Sequence, residues 1–110
     1  MTKEQLRLYR SVAREIDQLE HRIISLEMKG HNDDITQPLR NLYREKLTML
    51  IDGQLRIEQA IESLDPTERE LMRMRYIDGA EWIDISATIH YEWAQTHRIH
   101  AKALNKIKNL

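Results

Sequence analysis

The 110-residue chain contains no cysteine and no phenylalanine, and it has only two prolines and three glycines. Without cysteine it can form neither a disulfide nor a thiolate metal site, so nothing points to an oxidising compartment. So few glycines and prolines do not suit a sheet protein with many tight turns. Because there is no run of about 18 apolar residues and no apolar signal core after Met1, we expect a cytoplasmic protein that spans no membrane.

Hydrophobic residues make up 41% of the chain and charged residues 32%, and the most frequent types are good helix formers. This composition predicts an all-α fold and argues against a disordered chain. The net charge of −1 is low for a general nucleic-acid binder, which is usually basic. However, residues 93–110 contain no acid, so positive charge is concentrated in one terminal element by Arg98, Lys102, Lys106 and Lys108.

Apolar residues in the first segment, about 2–29, recur at spacings of three and four residues, which is the pattern of a coiled-coil heptad seam. Gly30 suits the end of this helix, and a polar connection over 31–34 precedes a second helix over about 37–63. Two helices of similar length with a short connection predict an antiparallel hairpin. The seam either packs within this hairpin, which is favoured, or forms a homodimer; its residues are Tyr9, Val12, Ile16, Leu19, Ile23 and Leu26.

The sharpest boundary in the chain lies at residues 65–68. Asp65 suits the N-cap of a helix, Pro66 its first residue and Glu68 the reciprocal capping partner. We therefore predict two domains, a helical hairpin or oligomerisation arm over residues 1–64 and a second helical domain over 65–110. In the second domain a helix ends near Gly79, a short helix covers 81–89, a turn covers 90–92, and a last helix covers 93–108.

Three short helices, the last two joined by a turn of about three residues, are typical of a helix-turn-helix. In that arrangement the second helix of the pair lies in the major groove and presents its N-terminal residues to the base edges. The last helix has what this requires, namely a polar outer face, positive charge and an apolar inner face, which we predict to consist of Ile99, Ala103, Leu104 and Ile107.

The sequence also contains matches to a known motif. The run Ala101-Lys102-Ala103-Leu104-Asn105-Lys106-Ile107-Lys108 is close to an Ala-Lys-Ala-Leu-Arg-Lys-Leu ending. Through it, residues 81–108 resemble the helix-turn-helix of region 4 in bacterial primary sigma factors, and 64–70 and 75–79 also fit that pattern. The whole layout is similar to small sigma-like regulators of phages and prophages of Gram-positive bacteria, of the ArpU and RinA late-gene activator type. Their pattern Arg-Tyr-x-x-Gly-x-x-Trp-x-x-Ile is matched by Arg75, Tyr76, Gly79, Trp82 and Ile85.

The resemblance implies a DNA-binding transcription regulator that reads double-stranded promoter DNA with the helix over 93–108. The region 4 residues that face bases correspond to Trp93, Ala94, His97 and Arg98. Their spacing independently puts these four on one helix face. Arg98 suits a guanine edge, whereas Lys102 and Lys106 would lie nearer phosphates. If the protein is phage encoded, it would act in the cytoplasm of the host cell.

Several positions depart from the family pattern. Glu81 and Glu92 stand where the family has Ser or Thr caps, and His90 replaces the usual glycine of the turn. Trp93 and Ala94 replace polar base-facing residues. These departures favour an alternative function, a protein-interaction module that binds RNA polymerase or another regulator without sequence-specific DNA reading.

No catalytic signature is present in the sequence. It has no nucleophile–base pair, phosphate loop or metal motif, so we expect no enzyme, no cofactor and no metal site. His97 and His100 lie three residues apart, but no carboxylate or cysteine on a matching face completes a metal site.

The chain also has no phenylalanine and no room for an aromatic-rich promoter-melting domain. We therefore expect that this chain does not by itself replace a complete sigma factor.

Overall fold

The computed structural model describes residues 1–29 and 34–110, and every regular element in these two ranges is a helix, which confirms the all-α prediction. The helices are α1 (Lys3–Arg7), α2 (Tyr9–Lys29), α3 (Thr36–Glu62), α4 (Pro66–Met72), α5 (Trp82–Ile89) and α6 (Trp93–Ile107). A π-helical segment, Arg73–Ile77, continues α4. None of the helices in the described ranges has the length and apolar character needed to cross a membrane.

The first predicted helix is divided in two. Thr2 caps α1, because its hydroxyl accepts from the Gln5 amide at 3.2 Å and the Gln5 side chain accepts from the Thr2 amide at 2.7 Å. Helix α1 ends at Arg7 with Leu8 as its C-cap, and α2 begins at Tyr9. The heptad spacing does not reveal this break, since it begins only at Tyr9. The predicted helix end at Gly30 and the connection over 31–33 lie outside the described residues.

The chain forms two compact units. Unit 1 consists of Met1–Arg10 and Arg56–Leu110, and unit 2 of Ser11–Leu55. These limits differ from the boundary at 64/65 that the sequence suggests, because Leu6, Ile57 and Ile61 belong to the same buried core as α4–α6. The division into folding domains 1–64 and 65–110 stays a prediction.

Unit 2 contains most of α2 and of α3. Leu19 and Ile23 of the heptad seam are buried, and Val12, Ile16 and Leu26 are partly buried. Lys46 pairs with Glu15 at 2.8 Å, Arg44 pairs with Glu27, and the Arg22 guanidinium lies 5.9 Å from the centre of the Tyr43 ring. The middle of the seam, Leu19 and Ile23, is therefore covered within a single chain.

Unit 1 has the larger core. Its buried residues are Leu6, Ile57, Ala60, Ile61, Leu64, Leu71, Met72, Tyr76, Ile85, Ile89, Ala103 and Ile107. The two ends of the chain meet here, since the Met1 ammonium donates to the carbonyls of Lys108 at 3.0 Å and Leu110 at 2.9 Å. As the sequence predicts, Pro66 is the first residue of α4, and the Asp65 amide donates to Glu68 Oε1 at 3.2 Å.

Candidate nucleic-acid interface

Helices α4, α5 and α6 contact one another in unit 1, and residues 90–92 connect α5 to α6. His90 ends α5 in the left-handed conformation (φ 62°), which lets the chain turn sharply without a glycine. Glu92 is extended, and α6 begins at the next residue. The turn and both helices thus lie within a residue of where the sequence predicts them.

Two hydroxyl groups fix the start of α6 on α5. Ser86 Oγ donates to Thr96 Oγ1 at 2.9 Å, and Thr96 in turn donates to the Glu92 carbonyl at 2.9 Å. Thr96 is fully buried, so these bonds satisfy a polar group that would otherwise be costly in the core. The first turn of α6 is therefore held in a defined position.

The buried stripe of α6 is formed by Thr96, His100, Ala103 and Ile107. Sequence reasoning placed Ile99 and Leu104 in this stripe, but both are only partly buried. It missed Thr96 and His100 because hydropathy alone does not identify a polar side chain whose bonds are satisfied in the core. The Tyr76 hydroxyl and His100 Nε2 share a hydrogen bond of 2.6 Å, and burial lowers the pKa of His100 to about 4.

The predicted DNA-contacting residues fall into two groups. Trp93, Ala94, Arg98 and Lys102 are exposed, with 59% of Trp93 accessible. Arg98 Nη1 donates to Gln95 Oε1 at 3.2 Å, so its guanidinium lies along the outer face of α6. His97 and Lys106, in contrast, make contacts within unit 1.

The His97 ring lies between two tryptophans. Its centre is 4.5 Å from the Trp82 ring and 4.4 Å from the Trp93 ring, and its Nε2 atom is buried with no hydrogen-bond partner in the described part of the chain. The Arg75 guanidinium lies 4.8 Å from the centre of the Trp82 ring. A continuous row of rings therefore joins Arg75 to the exposed start of α6.

Lys106 is engaged with two carboxylates. Its ammonium donates to Glu68 Oε1 at 2.6 Å and to Asp65 Oδ2 at 3.0 Å, and Glu68 is buried. The bond from Lys106 lowers the pKa of Asp65, while the bonds to Glu68 and Asp65 raise the pKa of Lys106. A phosphate would have to compete with both carboxylates for this cation.

The fold also brings together four cations that sequence reasoning did not group. Lys3, Arg7, Arg10 and Arg75 line a cavity of about 330 Å³ together with Tyr76, Gly79 and Trp82. Three of the four come from the first ten residues, and no local pattern in the sequence relates these to Arg75. In residues 1–29 and 34–110, no group of three histidines or carboxylates is arranged to hold a metal ion.

Comparisons of the chain with protein-family models, with curated proteins and with solved structures find no match.

Proposed function

We propose that unit 1 is a helix-turn-helix module of the sigma region 4 type, which binds double-stranded DNA through α6 and regulates transcription. The observation that carries this proposal is the exposed outer face of α6 with Trp93, Ala94, Arg98 and Lys102, on a helix whose first turn is bonded to α5. A recognition helix must be both rigidly braced and free on its outer side, and α6 has these two properties.

The chemistry of the outer face supports DNA as the ligand. Arg98 has the forked donor that recognises a guanine edge, and Lys102 lies about one turn further along, where a cation suits a phosphate. No acidic residue occurs in 93–110, so nothing on α6 itself repels the DNA backbone. Since Lys106 is already paired with Asp65 and Glu68, we assign the main phosphate contact of the outer face to Lys102.

The test is DNA binding by the full chain, using duplexes selected from genomic fragments. Arg98→Ala is expected to weaken binding to the selected site by about 1–3 kcal/mol and to relax the preference at one base pair. Lys102→Ala should weaken all duplexes about equally and reduce the slope of log K against log salt by about 1.

Matched controls are Arg14→Ala and Lys29→Ala, which remove exposed cations from α2. Affinities that are the same for the wild type, both α6 variants and both controls would reject α6 as the DNA-binding element.

A second candidate function is recruitment of RNA polymerase through the same face. Trp93 is accompanied by two other exposed apolar side chains in the α5–α6 region, Ile83 and Tyr91, and such residues can anchor a protein partner. Binding of purified bacterial RNA polymerase by the nuclease-treated protein, abolished by Trp93→Ala and unchanged by Arg98→Ala, would favour this function over DNA reading.

For unit 2 we propose an antiparallel helical hairpin that acts as an arm. The pairs Glu15–Lys46 and Glu27–Arg44 join the two helices in the order expected for an antiparallel pair. Homodimerisation through Tyr9, Val12, Ile16, Leu19, Ile23 and Leu26 stays a prediction. It would have to replace the packing that already covers Leu19 and Ile23.

A further inference from the structure

The N-terminal segment and the π-helical segment together form a cationic pocket in unit 1. Lys3 and Arg7 come from α1, Arg10 from the first turn of α2, and Arg75 from the segment after α4. Tyr76, Gly79 and Trp82 complete the lining of the cavity of about 330 Å³. Within the two described ranges, no acidic side chain contributes to this lining.

The positive charge of this pocket is largely uncompensated. Arg7 pairs with Glu4 at 2.9 Å, but both side chains of this pair are mostly exposed, so water screens it. Among the described residues, Lys3, Arg10 and Arg75 form no ion pair. Like charges held close together repel one another, and an anion bound between them removes that repulsion.

Packing contacts fix the position of two of the guanidinium groups. Arg10 lies directly against the backbone of Gly79, where a Cβ atom would be only 2.1 Å from Arg10 Nη1. Arg75 packs on the Trp82 ring and donates to the Ala80 carbonyl at 3.1 Å. Groups that are positioned before binding lose less freedom when a ligand arrives.

The field of these cations extends into the core. After burial, the largest effects that lower the pKa of His100 are the charges of Lys3, His97, Arg75 and Arg7. Burial raises the pKa of Tyr76, and the charges of Arg75 and Arg7 act against that larger effect. The pocket is thus a region of positive potential.

We propose that this pocket binds a phosphate group, held by the guanidinium groups of Arg10 and Arg75 and by the ammonium of Lys3. Arginine forks match two phosphate oxygens at once, and a multiply charged tetrahedral anion suits a concave site with several cations. Trp82 provides an aromatic wall on which the Arg75 guanidinium is held, and Tyr76 lines the same cavity.

Two sources can supply this phosphate. One is the backbone of DNA bound on α6, because the ring row Arg75–Trp82–His97–Trp93 leads directly from the pocket to the start of that helix. This source rests on the proposed function. The other is a free phosphate compound, which does not depend on it.

The experiment uses the full chain in two arms. In the first arm, inorganic pyrophosphate is titrated into the wild type and into Arg10→Gln and Lys3→Gln, with binding followed by calorimetry. In the second arm, duplex DNA affinity is measured as a function of salt for the same proteins. Arg14→Gln and Lys29→Gln are the matched controls, since they remove exposed cations that lie outside the pocket. Arg10→Lys retains the charge but not the guanidinium fork, so it separates the contribution of charge from that of the two-oxygen geometry.

The proposal predicts that each pocket variant weakens pyrophosphate binding about tenfold or reduces the DNA salt slope by about 1, while the controls do neither. Arg10→Lys is expected to bind more tightly than Arg10→Gln but more weakly than the wild type, because it keeps the charge and loses the guanidinium fork. If the pocket variants weaken only pyrophosphate binding, the pocket binds a free phosphate compound. If they reduce only the salt slope of DNA binding, it binds a phosphate of the DNA backbone.

Failure of the pocket and failure of the proposed function give different results. If the wild type binds pyrophosphate in the pocket but binds no DNA, the phosphate-binding proposal is supported and the proposed DNA-binding function is contradicted. If Arg98→Ala impairs DNA binding while Arg10→Gln and Lys3→Gln change neither pyrophosphate affinity nor the salt dependence of DNA affinity, the proposed function is supported. The phosphate-binding proposal is then overturned. A wild type that binds neither probe overturns both.

Discussion

At the residue scale, two glycines of this chain have opposite requirements. Gly79 has φ +73°, and a side chain there would meet the Arg10 guanidinium, whereas a Cβ added at Gly53 in α3 would have no neighbouring atom within 4 Å. Gly79→Ala should therefore destabilise the fold by about 1–2 kcal/mol, because a left-handed backbone is unfavourable for alanine. Gly53→Ala should stabilise it by up to about 1 kcal/mol through helix propensity.

Urea unfolding of both variants measures the two changes. Equal effects of the two substitutions would contradict the left-handed conformation described for Gly79.

His100 makes stability dependent on pH. Its pKa is about 4 in the folded chain and 6.5 in the unfolded chain, so the unfolded state binds the proton first as the pH falls. The stability associated with the neutral imidazole is complete above about pH 6.5 and is lost as the pH falls to about 4. It amounts to roughly 3 kcal/mol.

Unfolding free energies between pH 4 and pH 7 test this for the wild type and His100→Gln. The variant should lose less stability over this interval than the wild type does. His21→Gln, a change at an exposed histidine of α2, is the control and should follow the wild-type curve. If His100→Gln loses as much unfolding free energy between pH 7 and pH 4 as the wild type does, His100 is not the source of the pH dependence.

At the scale of secondary-structure elements, α1 is part of the core of unit 1 and is not a free terminus. Leu6 is fully buried, whereas Leu8, two residues later, is 56% exposed. Leu6→Ala is expected to cost about 2–5 kcal/mol of unfolding free energy because it leaves a cavity in a packed core. Leu8→Ala should change stability by only about 0.5 kcal/mol.

Chemical unfolding of these two variants compares the same substitution in two environments. A small effect of Leu6→Ala, similar to that of Leu8→Ala, would mean that α1 does not pack on unit 1, and the cationic pocket would lose the two cations that α1 supplies, Lys3 and Arg7.

At the scale of the whole molecule, apolar burial is divided unequally between the two units. All buried apolar residues in the described ranges belong to the core of unit 1, except Leu19 and Ile23. Exchange of backbone amides with solvent is therefore expected to be faster in the helical parts of 11–55 than in α4–α6, because local opening exposes less apolar surface there. Hydrogen exchange followed by mass spectrometry measures this difference.

The concentration dependence of the same measurement bears on self-association. A homodimer through unit 2 would increase protection of 11–55 as the protein concentration rises, because mass action stabilises whatever binds only the folded form. Equal protection of the two units would contradict the prediction made from their unequal apolar burial. Protection of 11–55 that does not change with protein concentration would contradict the homodimer.

The sequence by itself determined the helices of the second half of the chain. Pro66 at the start of α4, Gly79 after the π-helical segment, the left-handed His90 and the helix from Trp93 all lie at or within a residue of their predicted positions. These features depend on capping and on contacts three or four residues apart, which can be read locally. The exposed face with Arg98 and Lys102 follows from the same periodicity.

Only the tertiary structure decided which distant groups meet. The bonds of Lys106 to Asp65 and Glu68, the placement of His97 between Trp82 and Trp93, and the gathering of Lys3, Arg7 and Arg10 around Arg75 all join separate elements. No helical period encodes such contacts, because they depend on how elements pack once their apolar faces are buried. For the same physical reason, α1 is found in the core of unit 1 although the sequence groups it with the hairpin.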